Sequence, residues 1–158
     1  MADSEESHDA DTLRLDNQLC FALYAASHAV IGIYRAILDE LGLTFPQYLV
    51  MLTLWEQDGQ TITAIGRRLR LDSGTMTPLI KRLAEAGLIE RRRVPGDERA
   101  VRICLTGRGT SLRPEAAEAR ARVICRLGMT DDEIRALRGQ LISMIERVDG
   151  GLVTEEAG

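Results

Sequence analysis

Apolar residues recur at three- and four-residue steps from Leu15 through Leu19, Leu23, Ala26, Val30, Ile33, Ile37 and Leu41. That period predicts one long amphipathic helix over about residues 13–41, closed by Gly42. Thr44, with Pro46 near the first turn, opens a second helix that runs through Trp55 and Glu56, and Gly59 ends it. Thr63 is placed to cap a short helix over 64–70, with Ala64, Ile65 and Leu69 on its apolar face. The run Leu71-Asp72-Ser73-Gly74 breaks that helix, and Asp72 or Ser73 caps the next, over roughly 74–86. Met76, Leu79, Ile80 and Leu83 lie on one face of it, and Ser73, Thr75, Thr77, Lys81 and Arg82 on the other. Pro78 sits early in this helix, where it removes about one ladder bond, and Gly87 ends it. Two short runs, 88–94 and 99–105, flank a Pro-Gly-Asp-Glu turn and read as a hairpin. A long helix follows over about 107–126, and Thr130 to Glu133 form a capping box for a last helix over 131–149.

The fold class that results is mainly α with a small β wing. Two short helices joined by a tight turn, then a hairpin with an Arg-rich tip, make the layout of a winged helix-turn-helix, a module that reads duplex DNA. The major groove admits one helix, so the second helix must be narrow and polar at its amino end, where Ser73, Thr75 and Thr77 supply small donors. The orphan amides of that end also suit a phosphate. Lys81 and Arg82 extend the same face, and Arg99 at the hairpin tip reaches toward the neighbouring minor groove with Asp97 to orient it. An Asp97–Arg99 surface pair contributing little is the alternative.

Charge supports this reading. Residues 61–110 hold eleven basic residues against five acids, a net +6, while the whole chain is −4, so the remainder carries −10. A basic island in an acidic chain gathers positive potential where phosphates can displace counterions. Low aromatic content, 4%, leaves aliphatic residues to fill the core. The amino terminus is acidic without an apolar run, which predicts a disordered tail rather than a signal peptide. No stretch reads as approaching the length of a membrane span. Three widely spaced cysteines fit neither a secreted disulfide framework nor a zinc site, so a reducing compartment is expected, with no metal and no cofactor.

The segments LDNQLCFALYAAS (15–27), LTFPQYLVMLTLWE (43–56), LRLDSGTMTPLIKRLAEAGLIERRR (69–93) and GDERAVRICLT (96–106) resemble the MarR family of bacterial winged-helix repressors. Within it, NQLCFALY resembles the organic hydroperoxide resistance regulator (OhrR) branch, of two-cysteine type; the DERxV wing is shared more widely. The resemblance covers roughly residues 13–148. It implies a cytoplasmic homodimer with interlocked first and last helices, binding a pseudo-palindromic double-stranded operator and released by organic hydroperoxide.

By pattern alone, Cys20 is a small core hydrophobe on an amphipathic helix, with Asp16 and Tyr24 one turn away on either side. The resemblance implies instead that Cys20 is the redox-sensing thiolate, oxidised to a sulfenic acid. It also implies that Tyr34 supports the thiolate, and that Cys125 resolves the sulfenic acid as a disulfide with the partner subunit. A second tyrosine of the family falls at Phe45, which cannot donate. Tyr24 or Tyr48 is available to contribute, though Tyr48 reads first as core; Cys104 reads as structural. The domain layout expected is an acidic tail (1–12), sensor and dimerisation helices (13–58), the winged module (59–108), dimerisation helices (109–150) and a tail (151–158). The alternative function is a repressor released by a small aromatic ligand with Cys20 inert. An enzyme is not expected, because His8 and His28 stand alone and no general-base constellation appears.

Overall fold

The computed structural model describes residues 12–94 and 97–155, with the backbone only at 94, 97–100 and 151–155. Of the expected tails, 1–12 and 151–158, residues 1–11 and 156–158 lie outside the described residues, and 151–155 belong instead to the last helix. The chain divides into two compact units, Met1–Val123 and Ile124–Gly158.

In the first unit a 3-10 turn, Leu15–Asn17, precedes helix α1, Leu19–Leu38, and a second 3-10 turn, Asp39–Leu41, follows it. The expected single helix is thus shorter at its start. Gln18 has extended backbone and its side-chain amide donates to the carbonyls of Thr12 (2.5 Å) and Arg14 (3.1 Å), which stops the helix from extending backward. Asp16 therefore sits in a separate turn, not one helical turn from Cys20. Gly42 takes a left-handed conformation (φ 67°), as its place at the helix end requires.

Helix α2, Phe45–Glu56, opens on a complete capping box. The Thr44 amide donates to Gln47 Oε1 (2.9 Å) and the Gln47 amide to Thr44 Oγ1 (3.4 Å). The helix ends because Gln57 is extended; Gly59, with φ 72°, belongs to the following turn. Strand β1, Gln60–Thr61, was not expected from the pattern, being only two residues long. Thr61, rather than Thr63, then caps α3, Ile62–Leu69, by accepting from the Ala64 amide (3.2 Å). Helix α4, Ser73–Glu85, strand β2, Ile89–Val94, and strand β3, Asp97–Leu105, complete the winged module. The three strands form an antiparallel sheet in the order β1-β3-β2, with Gln60 opposite Ile103 and Glu90 opposite Cys104. Strand β3 starts at Asp97, two residues earlier than the apolar run indicates, because Val94 pairs with Asp97 across an irregularity at Arg93–Val94.

The expected long helix is two: α5, Gly107–Ser111, and α6, Arg113–Leu127. The core joins Leu38 and Leu43 to Val50, Met51 and Leu54 of α2, Ile65 of α3, Met76, Ile80 and Leu83 of α4, and Ile89 and Ile103 of the sheet. Aliphatic burial of this kind is the main stabilising term.

The second unit holds the end of α6 and helix α7, Asp131–Glu155, which runs past the expected end at residue 149. Its start is the anticipated capping box, with the Thr130 amide donating to Glu133 Oε2 (2.7 Å) and the Glu133 amide to Thr130 Oγ1 (3.3 Å). No described side chain of α7 is fully buried, and Leu137, Ile142, Ile145 and Val148 are exposed.

One expectation needs correction. Leu19–Leu41 is long and apolar enough to cross a membrane by length and composition. Alanines and glycines between the larger residues hide this when only the amphipathic period is read. Most of that segment is exposed in the chain.

Gly109 of α5 approaches the end of the α4–β2 connection so closely that an added Cβ would lie 2.0 Å from the Leu88 carbonyl oxygen. Gly107, in the same helix, has no atom within 4 Å of such a carbon. Gly109→Ala is expected to lower unfolding stability by about 1–3 kcal/mol or more in urea titrations, and Gly107→Ala to change it by under about 1 kcal/mol. Equal effects of the two would mean that the close approach does not constrain the fold.

Candidate functional site

The polar face predicted for the second short helix is present on α4. Ser73, Thr75, Thr77, Lys81 and Arg82 are all exposed, while Met76, Ile80 and Leu83 are buried on the opposite side. Asp72 is the amino-terminal cap: its carboxylate accepts from the Thr75 amide (2.8 Å) and the Thr75 hydroxyl (3.1 Å). Those bonds, the backbone one first, hold the Asp72 carboxyl below its ordinary pKa. The Thr77 hydroxyl donates to the Ser73 carbonyl (2.9 Å). Two expectations change as a result. Thr75 and Thr77 spend their donor hydrogens inside the helix and present acceptors and methyl groups outward. The helix end is already occupied by the chain's own carboxylate, which works against a phosphate seated there.

The turn between α3 and α4 is tight for a stated reason. The Leu71 amide donates to the Gly66 carbonyl (2.9 Å) and Arg70 adopts φ 56°, so the chain reverses in a left-handed cap normally given to glycine. A Cβ on Gly66 would stand 2.9 Å from the Leu71 carbonyl oxygen and 3.1 Å from Met76 Cγ. Arg68 of α3 pairs with Glu56 of α2. Arg92 of β2 pairs with Glu90. Both pairs are exposed, so they orient side chains more than they stabilise the fold.

The base of the wing is anchored to the α2–β1 turn. Asp58 Oδ1 accepts from the amides of Gly59 (2.8 Å) and Leu105 (2.9 Å), Arg102 donates to the Gly59 carbonyl (2.7 Å), and Trp55 Nε1 donates to the Gly109 carbonyl (2.9 Å). Sequence reasoning did not find these anchors; the Asp58-Gly59 turn pair was the available signal. Asp97 and Arg99 begin β3, but their side chains lie outside the described residues.

The three cysteines are unpaired: Cys20 and Cys125 are exposed and Cys104 is buried. Cys20 occupies the second residue of α1. Tyr24 follows one turn later, exposed, with its ring centroid 4.1 Å from that of His28. Tyr34 lies fourteen residues beyond Cys20 on the same helix, about 21 Å away at the α-helical rise. Within one chain Tyr34 and Cys20 are not brought together. Tyr34 instead packs on Phe45 (5.2 Å between ring centroids) and Tyr48 (5.6 Å) of α2. Burial raises the pKa of the Tyr34 hydroxyl above its ordinary value, partly opposed by the Arg120 charge. For Tyr48, burial and then Tyr34 raise it, and Arg120 again opposes. Both phenols therefore remain protonated donors near neutral pH.

Tyr48, Leu52, Trp55 and Glu56 of α2, with Arg113 and Arg120 of α6, line a cavity of about 430 Å³ in the first unit. Nothing in the sequence pattern singled out these two arginines, because their helix reads as a solvated one. Among the described residues no cluster of His, Cys, Asp and Glu is placed to hold a metal ion.

A helix–turn–helix followed by an anchored antiparallel hairpin defines the class as winged-helix. Residues 43–101 match the MarR family. The chain is 50% identical over 134 residues to the HTH-type transcriptional regulator TtmR of Methylorubrum extorquens (strain PA1), covering 85% of this chain and 69% of that protein. It is 40% identical over 136 residues to the organic hydroperoxide resistance transcriptional regulator of Bacillus subtilis (strain 168), covering 86% and 92%. Reduced AbfR bound to DNA superposes with a TM-score of 0.73 at 35% identity, covering 90% of this chain and 99% of that one; AbfR is from Staphylococcus epidermidis. The chain belongs to the MarR family and is a transcriptional regulator rather than an enzyme.

Because Asp72 is held below its ordinary pKa, its cap contributes stability above the unfolded carboxylate range. That contribution is lost as pH falls through the depressed folded value. Asp72→Asn keeps a capping oxygen but does not titrate. The melting temperature of the wild type is expected to exceed that of Asp72→Asn near neutral pH, and the gap to close on acidification below about pH 4. A gap independent of pH would show that the charge on Asp72 is not what stabilises the helix end.

Proposed function

We propose that this regulator is a bacterial cytoplasmic peroxide-sensing repressor. It binds a pseudo-palindromic operator as a homodimer and leaves it when Cys20 is oxidised by an organic hydroperoxide. The observation that carries the reading is Cys20 itself, free and exposed at the amino end of an apolar helix, within a chain 40% identical to an organic hydroperoxide resistance regulator.

Dimerisation is supported by what one chain leaves uncovered. Leu15, Leu19 and Tyr24 near the amino end, and Leu137, Ile142, Ile145 and Val148 on α7, are exposed large side chains. Interlocked first and last helices of two copies would bury them. The same burial accounts for the apolar length of Leu19–Leu41 without a membrane. The DNA face in this reading is α4 with Ser73, Thr75, Thr77, Lys81 and Arg82, and the wing with Asp97 and Arg99. In a dimer the two α4 helices meet successive major-groove segments. Methyls and acceptors of Thr75 and Thr77 suit thymine methyls and base donors, and Lys81 and Arg82 suit phosphates or guanine. Arg82→Ala is expected to weaken operator binding about ten-fold or more in fluorescence anisotropy at low salt. An unchanged affinity would remove Arg82 from the interface.

The Cys20 thiolate attacks the distal oxygen of ROOH; the S–O bond forms, the O–O bond breaks, and the alkoxide takes a proton and leaves as ROH. Sulfur is oxidised by two electrons and the peroxide reduced. The Cys125 thiol of the second subunit then attacks the sulfenic sulfur, forming S–S and releasing water. Helices that carry the two cysteines shift, and the operator-binding helices lose their spacing. Support for Tyr34 as a thiolate donor comes from its matching position in the resemblance, and Tyr24 is a second available donor, one turn from Cys20 on α1. Because Tyr34 is about 21 Å along α1 from the Cys20 of its own chain, it serves the Cys20 of the second copy.

Cumene hydroperoxide is expected to produce a disulfide-linked dimer on non-reducing electrophoresis and to release the operator. Cys125→Ser should abolish the covalent dimer. Operator release that persists in Cys20→Ser would defeat the sensor role. The cavity beside Tyr48 supports a second reading, release by a small aromatic anion, and retained release of Cys20→Ser by such a compound is the result that would favour it.

A further inference from the structure

Two aromatic rings of α2 pack on Tyr34, and only one of them carries a hydroxyl. Phe45 keeps a ring against Tyr34 but has no hydroxyl, so one thiolate donor expected by resemblance is missing. Tyr48, three residues further along α2 and only 2% exposed, also packs its ring on Tyr34, with the centroids 5.6 Å apart. Its side chain also lines the cavity shared with Arg120. The charge of Arg120 acts on the hydroxyls of both tyrosines, and on both it opposes the effect of burial. A cation that acts on two protonated phenols polarises their O–H bonds toward an anion. The other charged groups around the cavity are Arg113 and Glu56, and Glu56 is paired with Arg68. The balance of the cavity is therefore positive. No step in the DNA-binding reading uses Tyr48 or Arg120.

We propose that Tyr48 and Arg120 take over the part of the hydroxyl missing at Phe45. With Tyr34 they form the positive, hydrogen-bonding pocket that holds the Cys20 thiolate of the second copy. The inference rests on the reading in which Cys20 is the sensor and meets Tyr34 across the dimer. Tyr48 and Arg120 are positioning and activating residues: Tyr48 donates to the sulfur or to Tyr34, and Arg120 supplies the charge that favours the anion. An arginine suits this task because it does not lose its charge at any working pH. The thiolate must be anionic to attack the peroxide, so a pocket that stabilises the anion sets the rate of sensing.

The test uses the full-length protein and reads each cysteine separately. Iodoacetamide alkylation is followed by peptide mass spectrometry from about pH 5 to about pH 9, alongside single-turnover oxidation by cumene hydroperoxide. Arg120→Gln is expected to slow Cys20 alkylation on the order of ten-fold at neutral pH and to move its profile toward higher pH, with Arg120→Lys keeping most of the reactivity. Tyr48→Phe is expected to slow it several-fold. Adding Phe45→Tyr to Tyr48→Phe should restore it, since that change returns a hydroxyl beside Tyr34. Rescue of this kind is not produced by a variant that merely folds poorly. If Arg120→Gln and Tyr48→Phe leave the profile unchanged while Tyr34→Phe shifts it, the compensation is wrong and the sensor reading stands. If wild-type Cys20 reacts no faster than an exposed control thiol and is not oxidised, the sensor reading fails and the proposal with it.

Discussion

The winged module depends on a contact that leaves no room for a side chain. Gly66 of α3 lies under the Leu71 carbonyl and against Met76 of α4, so the two helices are held at the distance set by a bare Cα. The left-handed Arg70 then reverses the chain, and the Leu71 amide closes the turn on the Gly66 carbonyl. Burial of Met76, Ile80 and Leu83 follows from that spacing, and with it the outward direction of Thr77, Lys81 and Arg82. A larger residue at 66 would tilt the exposed face along with the buried one, because the two are opposite sides of one rigid helix.

The wing is fixed by a different kind of bond. Among the described residues, Glu90 to Arg93 of β2 and Arg102 of β3 are exposed, while Ile89, Ile103 and Cys104 are buried at the inner end. Asp58 and Arg102 tie β3 to the α2–β1 turn, and Trp55 ties α2 to α5. Since Trp55 also lines the cavity with Arg113 and Arg120, one wall of that cavity is bonded to α5, the helix that follows the wing. A change in how α2 and α6 pack would reach the wing through two or three hydrogen bonds rather than through a flexible linker. This is a physical connection, and its energetic coupling is what mutation would have to establish.

The elements that the sequence made legible are those with a strong period or a cap. Gly42, Thr44, Asp72, Gly87 and Thr130 each mark a terminus that the structure places at or within a residue of the expected one, and the polar face of α4 was readable from its buried one. What escaped was set by tertiary contact. Strand β1 is two residues stabilised wholly by β3. Thr61 displaced Thr63 as a cap because the strand brings the chain into the helix two residues earlier. The division at Leu112, by contrast, has a local cause that was available in the sequence: Pro114 has no amide to continue the ladder to Thr110, and sits in the first turn of α6 instead. In the candidate site, Cys20 and Tyr34 were visible as residue types in a recognisable segment. Tyr48 was legible only as an available donor that reads first as core, and Arg120 was not legible at all, because the two come from separate helices and meet only in the fold.

The distance between Cys20 and Tyr34 constrains how sensing can work at all. On one straight helix they are about 21 Å apart, so no motion within α1 brings a phenol to the thiol. In the proposed reading the sensor is therefore completed only by a second copy, and any product on Cys20 is formed at a subunit boundary. Such a boundary is the one place where a small covalent change need not be absorbed by the core of either chain. Oxidation exchanges an anion held by donors for a neutral, larger group, and then for a tether. In that same reading the tyrosine cluster favours the first state over the others. The free energy that activates the thiolate is then the same free energy that is lost when it reacts. A few kcal/mol of that kind is sufficient to move a two-state dimer from mostly bound to mostly released.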